Sequence, residues 1–416
     1  MKESRRDSSK IRILCQLFYP ELISTGQTLT ELSEELVRLG VEVEVICGPP
    51  TILDRKSKVP RRMEHQGIQV KRVWGTRFSK LSFFGKLSNQ ITYTTAVFFR
   101  LFFDSDTRPW LVLTDPPFLG GMCALLRKFG RNPFIYVIFD IYPDTAVKAG
   151  ILSERGLFTR FWNWWNRFIL RQASQVVVIG RCMKSVILSK GVSIPQLEKK
   201  VNLIYNWCDD RMIQPVQREE NPYIQKWKLE DKFVVSYSGN LGRFHDMETI
   251  IAGASALKAH PEIVFLFTGE GYKKRQTQEF VALNEMRNCQ FHTYVKREEL
   301  GFALSCAHVG LVSLASSQEG LSVPTKTFGI MASETPVIAI MSDESEIAHI
   351  IAENNCGYVI APGDVDGLVR AVLELYGNPE KQQEFGNNAL NAVKDKYNLR
   401  NSALKYLSLI ETLSRE

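Results

Sequence analysis

The eight cysteines of this 416-residue chain, at positions 15, 47, 123, 182, 208, 289, 306 and 356, form no CxxC pair. That spacing excludes a zinc site, a thioredoxin-like motif and a small disulfide scaffold. Thiols scattered this way are small core hydrophobes in a reducing compartment. No HxxxH and no Cys/His cluster with ligand spacing occurs, and the triplet Asp104-Ser-Asp106 follows a hydrophobic helix rather than a strand, so no metal is expected. Long apolar runs are missing too. The longest candidate span, Ile91 to Phe103, is broken by Arg100, short of the ~18 residues a membrane span needs. The basic start MKESRRDSSK precedes only a brief apolar stretch, Ile13 to Tyr19, interrupted by Gln16 and followed by no small-residue cleavage site. A cytoplasmic protein is expected. Glycine (27) and proline (17) are ordinary in number, which excludes collagenous and disordered classes.

What is there is a folded composition, 44% apolar and 23% charged. The length predicts two to three domains at ~150 residues each. Charge is lopsided. Residues 1–210 carry 31 Lys and Arg against 19 Asp and Glu, a surplus of 12 positive charges, while the remainder carries 21 against 26. Such asymmetry suggests two domains facing different partners.

Short β-rich runs alternate with amphipathic stretches. RILCQLF (12–18), VEVEVIC (41–47), WLVLT (110–114), PFIYVIF (133–139), SQVVVI (174–179) and VNLIY (201–205) read as strands. Between the first two, Leu29, Leu32, Leu36 and Leu39 recur at helical spacing and Gly40 supplies the stop. The pattern restarts with KFVVSYSG (232–239), IVFLFTG (263–269), VGLVSL (309–314) and PVIAI (336–340), after a polar segment from Cys208 to Asp231 that reads as a linker. Alternating strands and helices imply an α/β protein with two doubly wound, Rossmann-like parallel sheets facing a cleft. Ligands in such sheets bind beyond the carboxyl ends of the strands.

Five loops there could carry chemistry. In YPELISTGQT (19–28), Gly26 permits close backbone approach, and the next helix offers N–H groups to an anion, although a plain turn glycine fits equally. In SGNLGRFHD (238–246), Gly239, Asn240 and Gly242 precede Arg243 and His245; this is neither a Walker sequence nor GxGxxG, but an arginine there can fork onto phosphate. His245 alone reads as a surface residue at a helix start. TGEGY (268–272) adds Gly269 and Gly271. In SSQEGLSVPTKTF (316–328), Glu319 and Lys326 flank the Gly320-Leu321-Ser322 turn, and Pro324 suits a helix start. A lysine in the first helical turn opposes the dipole unless an anion sits opposite, which points to a diphosphate site over a solvated lysine. In FDIYPD (139–144), Asp140 stands at a strand end where it could hold sugar hydroxyls or accept a proton, or merely cap the next segment.

In this order, FYPE…TG, TDPP (114–117), FDIYPD, NLIYNWCDD, YSGNLGRFHD, FTGEG and VPTKTFGIMASETPVIA resemble a family-4 retaining glycosyltransferase of the two-domain GT-B fold, nearly end to end. They look closest to the subgroup that builds bacterial surface polysaccharides, including N-acetyl-fucosaminyl transferase-like members. The resemblance implies an acceptor-side domain over 1–210, a donor domain over 211–397, and a C-terminal helix (398–416) crossing back to the first. It implies metal-independent, retaining transfer from a nucleoside diphosphate sugar, with a UDP-sugar expected, to a polysaccharide or lipid-linked acceptor, and no cofactor. Arg243 and Lys326 would neutralise the diphosphate. Glu319, with Gly320, Leu321, Ser322 and Thr325, would hold the donor sugar, and Asp140 and Gly26 would complete the site from the other domain. Two positions depart from the wider family pattern: Asn240 and His245 replace its glycine-turn cations, and Lys326 stands where its second glutamate would fall. Both departures resemble the subgroup, whose turn reads P-S-K.

Two rival readings stand beside it: a non-hydrolysing UDP-sugar 2-epimerase, which shares the two-domain architecture, and a non-catalytic nucleotide-sugar-binding partner of a transferase. A last expectation concerns location. Between Arg55 and Arg108 stand twelve Lys and Arg against Glu64, Asp104 and Asp106, interleaved with Trp74, Phe78, Phe83, Phe84, Phe98, Phe99, Phe102 and Phe103. Cations beside aromatic rings are the composition of an interfacial segment, so peripheral docking on the anionic inner face of a membrane is expected. No nucleic-acid recognition motif accompanies the charge.

Overall fold

A computed structural model describes residues 9–22, 25–51, 59–79 and 83–414. The chain forms two compact units. One runs to Tyr205 and resumes at Leu399; the other is Asn206–Asn398.

The first unit holds an eight-stranded sheet of β1 (Lys10–Cys15), β2 (Glu42–Cys47), β3 (Arg62–His65), β4 (Ile68–Arg72), β5 (Trp110–Leu113), β6 (Phe134–Ile138), β7 (Gln175–Val178) and β8 (Val201–Leu203). Their order across the sheet is β3-β4-β2-β1-β5-β6-β7-β8. Only the β3–β4 pairing is antiparallel. Helices α1 (Thr25–Arg38), α2 (Phe83–Phe102), α3 (Leu119–Lys128), α4 (Asp144–Lys148), α5 (Leu157–Gln172) and α6 (Arg181–Lys190) fill the crossovers. The central strands are buried along almost their whole length, because a parallel sheet is covered on both faces and its strands read as continuous apolar runs. The C-terminal helix Leu399–Leu413 belongs to this unit: the Ser402 hydroxyl donates to the Tyr205 carbonyl at 3.0 Å, and Tyr406 and Ile410 are buried.

The second unit holds β9 (Phe233–Ser238), β10 (Ile263–Thr268), β11 (Cys289–His292), β12 (Val309–Ser313), β13 (Val337–Ile340) and β14 (Gly357–Ile360), all parallel, in the order β11-β10-β9-β12-β13-β14. Side-chain caps fix where its helices begin. Asp246, Ser345 and Asp364 each accept a backbone N–H from the first turn, satisfying donors that would otherwise be orphaned.

The segment expected as a linker supplies part of the core. Tyr223, Ile224, Trp227 and Leu229 are buried against Val234, Val264 and Leu266 of β9 and β10, and Cys208 bridges to Asn398 within the same unit. Its polar residues mask four apolar side chains that cover one face of the second sheet.

The Asp104-Ser-Asp106 triplet also finds its role here. Arg12, in the middle of β1, is 1% exposed. Its guanidinium meets Glu44 at 2.5 Å, Asp106 at 2.9 Å and Asp104 at 3.1 Å. A buried cation survives only when paired and hydrogen-bonded, and the triplet supplies two of its three counter-charges.

Candidate functional site

In each sheet the winding reverses once, between β1 and β5 and between β9 and β12. The carboxyl ends of the strands at such a switch point are where open α/β sheets bind ligands. In the second unit the loop after β9 carries Gly239, Asn240, Gly242 and Arg243, and the loop after β12 carries Glu319 to Lys326. The strand order therefore brings two separately predicted loops to one place.

A third loop, after β10, is laced to the first. Gly239 N–H donates to the Thr268 carbonyl at 2.8 Å, Leu241 N–H to Glu270 at 2.9 Å, and Lys273 N–H to Leu241 at 2.9 Å. Glycine is required for this closeness. A Cβ on Gly269 (φ +141°) would fall 2.0 Å from the Gly239 carbonyl oxygen, and one on Gly271 would fall 2.5 Å from that of Leu241. Gly269 and Gly271 thus shape the turn that presents Gly239.

Lys326 opens the helix Lys326–Ala332. Its side chain folds over the Tyr237 ring, with Nζ 3.6 Å from the centroid. On the other side it abuts Gly239, where a Cβ would stand 3.5 Å from Nζ. The Nζ is enclosed and has no hydrogen-bond partner. Burial pulls its pKa down to about 7, because an ammonium without water or a counter-ion is disfavoured. In the same loop Glu319 Oε1 and both polar atoms of the Gln318 amide are buried without partners. Native proteins satisfy almost all such groups, so these unpaired atoms at a switch point leave donors and acceptors open to a polar ligand. Gly320 has φ +69°, Leu321 is buried, Ser322 is half-buried and Thr325 is exposed at the helix start.

His245 is part of the scaffold rather than a surface residue. Its Nδ1 accepts from Gly242 N–H at 3.2 Å and lies 2.8 Å from the Tyr237 hydroxyl. Burial, then the Lys326 ammonium, lower its pKa to about 3. The ring is neutral with its proton on Nε2, and it pins the glycine turn to the tyrosine beneath Lys326. Asn240 is exposed, and its carbonyl accepts from the Tyr237 hydroxyl at 3.1 Å. Arg243 is exposed, its guanidinium 4.0 Å over the Tyr272 ring. Sequence reasoning missed Tyr237, which reads only as a strand residue.

In the first unit Asp140 follows β6, and its backbone N–H reaches the Thr114 hydroxyl at 3.5 Å. Burial, then the Asp115 carboxylate, raise its pKa to about 6 against the pull of Lys86. It lines an open pocket with Thr114, Tyr142, Trp162, Asn166 and Lys190 among its walls. Helix α5 forms one wall. Trp162 stacks on Tyr142 at 5.7 Å, and the Lys190 ammonium bridges Asn163 at 3.1 Å and Asp144 at 2.8 Å. The sequence signal for α5 was available but unread: six Phe and Trp and no acid in sixteen residues. Gly26 lies inside α1, where a Cβ would fall 2.5 Å from the Glu21 carbonyl oxygen. The close approach it permits is therefore made by the chain's own preceding loop.

Comparison with known proteins matches this arrangement. The family model for "Glycosyl transferase 4-like domain" matches residues 25–198, and that for "Glycosyl transferases group 1" matches residues 219–392. The Pseudomonas aeruginosa protein named as glycosyltransferase WbjE is 29% identical over 63% of this chain and 64% of its own length; the match thus spans just under two thirds of that relative. WcaI of Escherichia coli K12, named for colanic acid biosynthesis, is 23% identical over 86% of this chain and 89% of its own. Among solved structures, sucrose-phosphate synthase from Thermosynechococcus elongatus superposes with a TM-score of 0.77 at 17% identity, over 98% of this chain and 99% of that one. HepE from Anabaena, solved with UDP-glucose, does so at 0.69 and 13%, over 97% and 99%. Each doubly wound unit is thus matched by its own glycosyltransferase domain model, and the chain has the GT-B fold of solved glycosyltransferases.

Proposed function

We propose that the protein transfers a sugar from a nucleoside diphosphate donor, a UDP-sugar, to a polysaccharide or lipid-linked acceptor with retention of the anomeric configuration and without a metal. The observation that carries this is the Lys326 ammonium: enclosed, without a partner, and set against Gly239 at the switch point of the second sheet. A departing diphosphate needs preorganised positive charge, and this cation has no counter-charge of its own. Arg243, at the end of the glycine turn, supplies the second charge. Glu319 and the Gly320–Ser322 turn, with Thr325, hold the donor sugar's hydroxyls. The acceptor binds at the cavity of the first unit, where Asp140, with a pKa of about 6, is ionised at neutral pH and can take a hydroxyl proton. HepE's complexes with UDP and UDP-glucose support the choice of donor, and the names of WcaI, for colanic acid biosynthesis, and of WaaG, for lipopolysaccharide biosynthesis, support a role in bacterial surface polysaccharide, the setting of the N-acetyl-fucosaminyl transferase-like subgroup.

A thermal-shift screen of UDP-, GDP- and ADP-sugars followed by turnover of the stabilising donor tests the proposal. The expected result is stabilisation by UDP-sugars and slow UDP release that persists in excess EDTA. Lys326→Ala and Arg243→Ala should each lower kcat/KM by about two to three orders of magnitude. Epimerised donor would instead mark an epimerase, inert binding would mark a non-catalytic partner, and rescue by manganese after EDTA would overturn the metal-free mechanism.

A further inference from the structure

We propose that α5 is the membrane-docking element of the first unit, lying on an anionic lipid bilayer with its outer aromatic ridge at the headgroup–acyl boundary. This deepens the transferase reading by naming the surface on which the acceptor cavity works.

The ridge is set by helical spacing. Leu157, Phe161 and Trp164 fall at intervals of four and three residues, so they share one stripe, and Phe158 stands beside them. They are 83%, 55%, 53% and 51% exposed. Ile151, just upstream, is 69% exposed. The opposite face is committed inward: Thr159, Ile169 and Leu170 are buried, and Trp165 fills the space above Gly121 of α3, where a Cβ would fall 2.1 Å from its Nε1. Single exposed apolar residues are normal on a soluble protein, but a contiguous ridge of them marks an interaction surface.

Charge selects the occupant. The helix carries Arg160, Arg167 and Arg171 and no acid; just before it Glu154 and Arg155 offset each other. Arginine flanking Trp and Phe on a helix that lies flat is the composition of an interfacial segment, drawn to anionic headgroups while its rings reach the acyl boundary.

The segment from Arg55 to Arg108, where the sequence suggested docking, is weaker. Lys71 pairs with Glu44, Arg72 donates to the Tyr19 carbonyl and to Cys47, and Arg108 pairs with Asp106 and Glu42. Those cations serve the fold. Lys80 and residues 52–58 lie outside the described residues. Trp74, Phe84, Phe99 and Phe103 are exposed, but Phe99 and Phe103 lie ~20 Å along α2 from Lys86, the residue of that helix that faces Asp140. Helix α5 walls that cavity through Trp162, Asn163 and Asn166, and the Asn166 amide donates to the Tyr142 carbonyl in the Asp140 loop. Docking on the outer face of α5 holds the cavity about one helix diameter, ~10 Å, from the bilayer.

The test is co-sedimentation of the full chain with phosphatidylcholine vesicles, with and without phosphatidylglycerol, at low and high salt. The wild type should pellet only with phosphatidylglycerol and weaken with salt. The variant Phe158→Ser/Phe161→Ser/Trp164→Ser should lose at least tenfold in bound fraction, as should Arg160→Gln/Arg171→Gln at low salt. Phe99→Ser/Phe103→Ser should bind like the wild type. Stabilisation by UDP, read by thermal shift, should be unchanged in every variant, showing that the fold and donor site persist. The proposal is overturned if the wild type stays in the supernatant, if the ridge variant pellets as the wild type does, or if the ridge proves to join two copies of the chain, seen as a dimer that the variant converts to monomer. Failure of UDP to bind would sink the transferase reading while leaving the docking result intact.

Discussion

UDP binding should take up a proton, and the reason is Lys326. In the free protein burial holds its pKa at about 7. A diphosphate laid against the ammonium would keep it charged, so the bound value must lie well above that. Well below pH 7 the lysine is already charged and adds no pH dependence of its own. Above pH 7 each pH unit makes the free lysine tenfold harder to find charged, a cost of about 1.4 kcal/mol. Between pH 7 and pH 9 the Kd for UDP should therefore rise about 50-fold, a window chosen above the second ionisation of a terminal phosphate near 6. Titration calorimetry in buffers of different ionisation enthalpy reads the proton directly: about half a proton per UDP at pH 7, approaching one at pH 9. Lys326→Met should bind weakly at every pH, and Lys326→Arg should abolish the pH dependence, because a guanidinium keeps its proton.

The same depressed value has a consequence for stability, opposite in sign to that of a paired cation. The unfolded lysine titrates near 10.4, so between pH 7 and 10.4 the unfolded chain binds more protons and the free protein gains stability as pH rises. At pH 7 Lys326→Met should accordingly be the more stable protein, by a few kcal/mol at most. A wild type that binds UDP equally at pH 7 and 9 with no proton exchanged would show that Lys326 does not meet the diphosphate.

Asp140 should behave in a related way. Its folded value of about 6 lies above the ordinary carboxylate range, so it costs stability as pH rises from ~4 to 6, and Asp140→Asn should gain about 1–2 kcal/mol at pH 7.5 after discounting for its half-exposed side while abolishing the acidic limb of the kcat/KM profile. Arg12→Ala should cost ~3 kcal/mol in urea melts by leaving the fully buried Glu44 with Lys71 as its remaining ion-pair partner, and Asp104→Asn/Asp106→Asn should destabilise without changing any response to metal. Gly269→Ala places a Cβ 2.0 Å from the Gly239 carbonyl oxygen, so UDP stabilisation in thermal shift should vanish even where the variant still folds.

How much of this was legible in the sequence depends on where each residue lies in a sheet. Central parallel strands such as FVVSYS and IVFLFT are buried along nearly their whole length, so they stand out as apolar runs. The edge pieces do not. Met63 and His65 of β3 are half-covered between exposed neighbours, and β11 and β14 have mostly half-buried positions, leaving no continuous run to read. The supposed linker failed for the mirror-image reason. Tyr223 and Trp227 sit among charges in the sequence, and only the fold shows that they cover β9 and β10. In the candidate site the glycine loops and Lys326 were readable because turns and helix starts leave local marks. Tyr237, which lies under Lys326 and holds His245, has no local mark at all; its role comes from the register of β9 against β12.

Motif and charge become informative together only once partners are counted. Arg12 and Lys326 are both enclosed cations on or beside a parallel strand, and spacing alone ranks neither above the other. Arg12 is met by three carboxylates within 3.1 Å, so the Asp-Ser-Asp triplet is spent on the fold and no vacancy remains for a ligand. Lys326 is met by an aromatic face and a glycine, with no carboxylate or carbonyl to satisfy Nζ. A protein that can bury an arginine with three counter-charges in one unit is not short of ways to neutralise a lysine in the other. Leaving that ammonium unpaired costs stability, as its lowered pKa shows, and such a cost is retained at sites where a ligand supplies the missing charge. The same accounting separates Gly26, whose close neighbour is its own chain, from Gly239, whose close neighbour is that lysine. On this ground the proposed diphosphate site is the second unit's switch point, and the close neighbour of Gly26 is the loop that precedes α1.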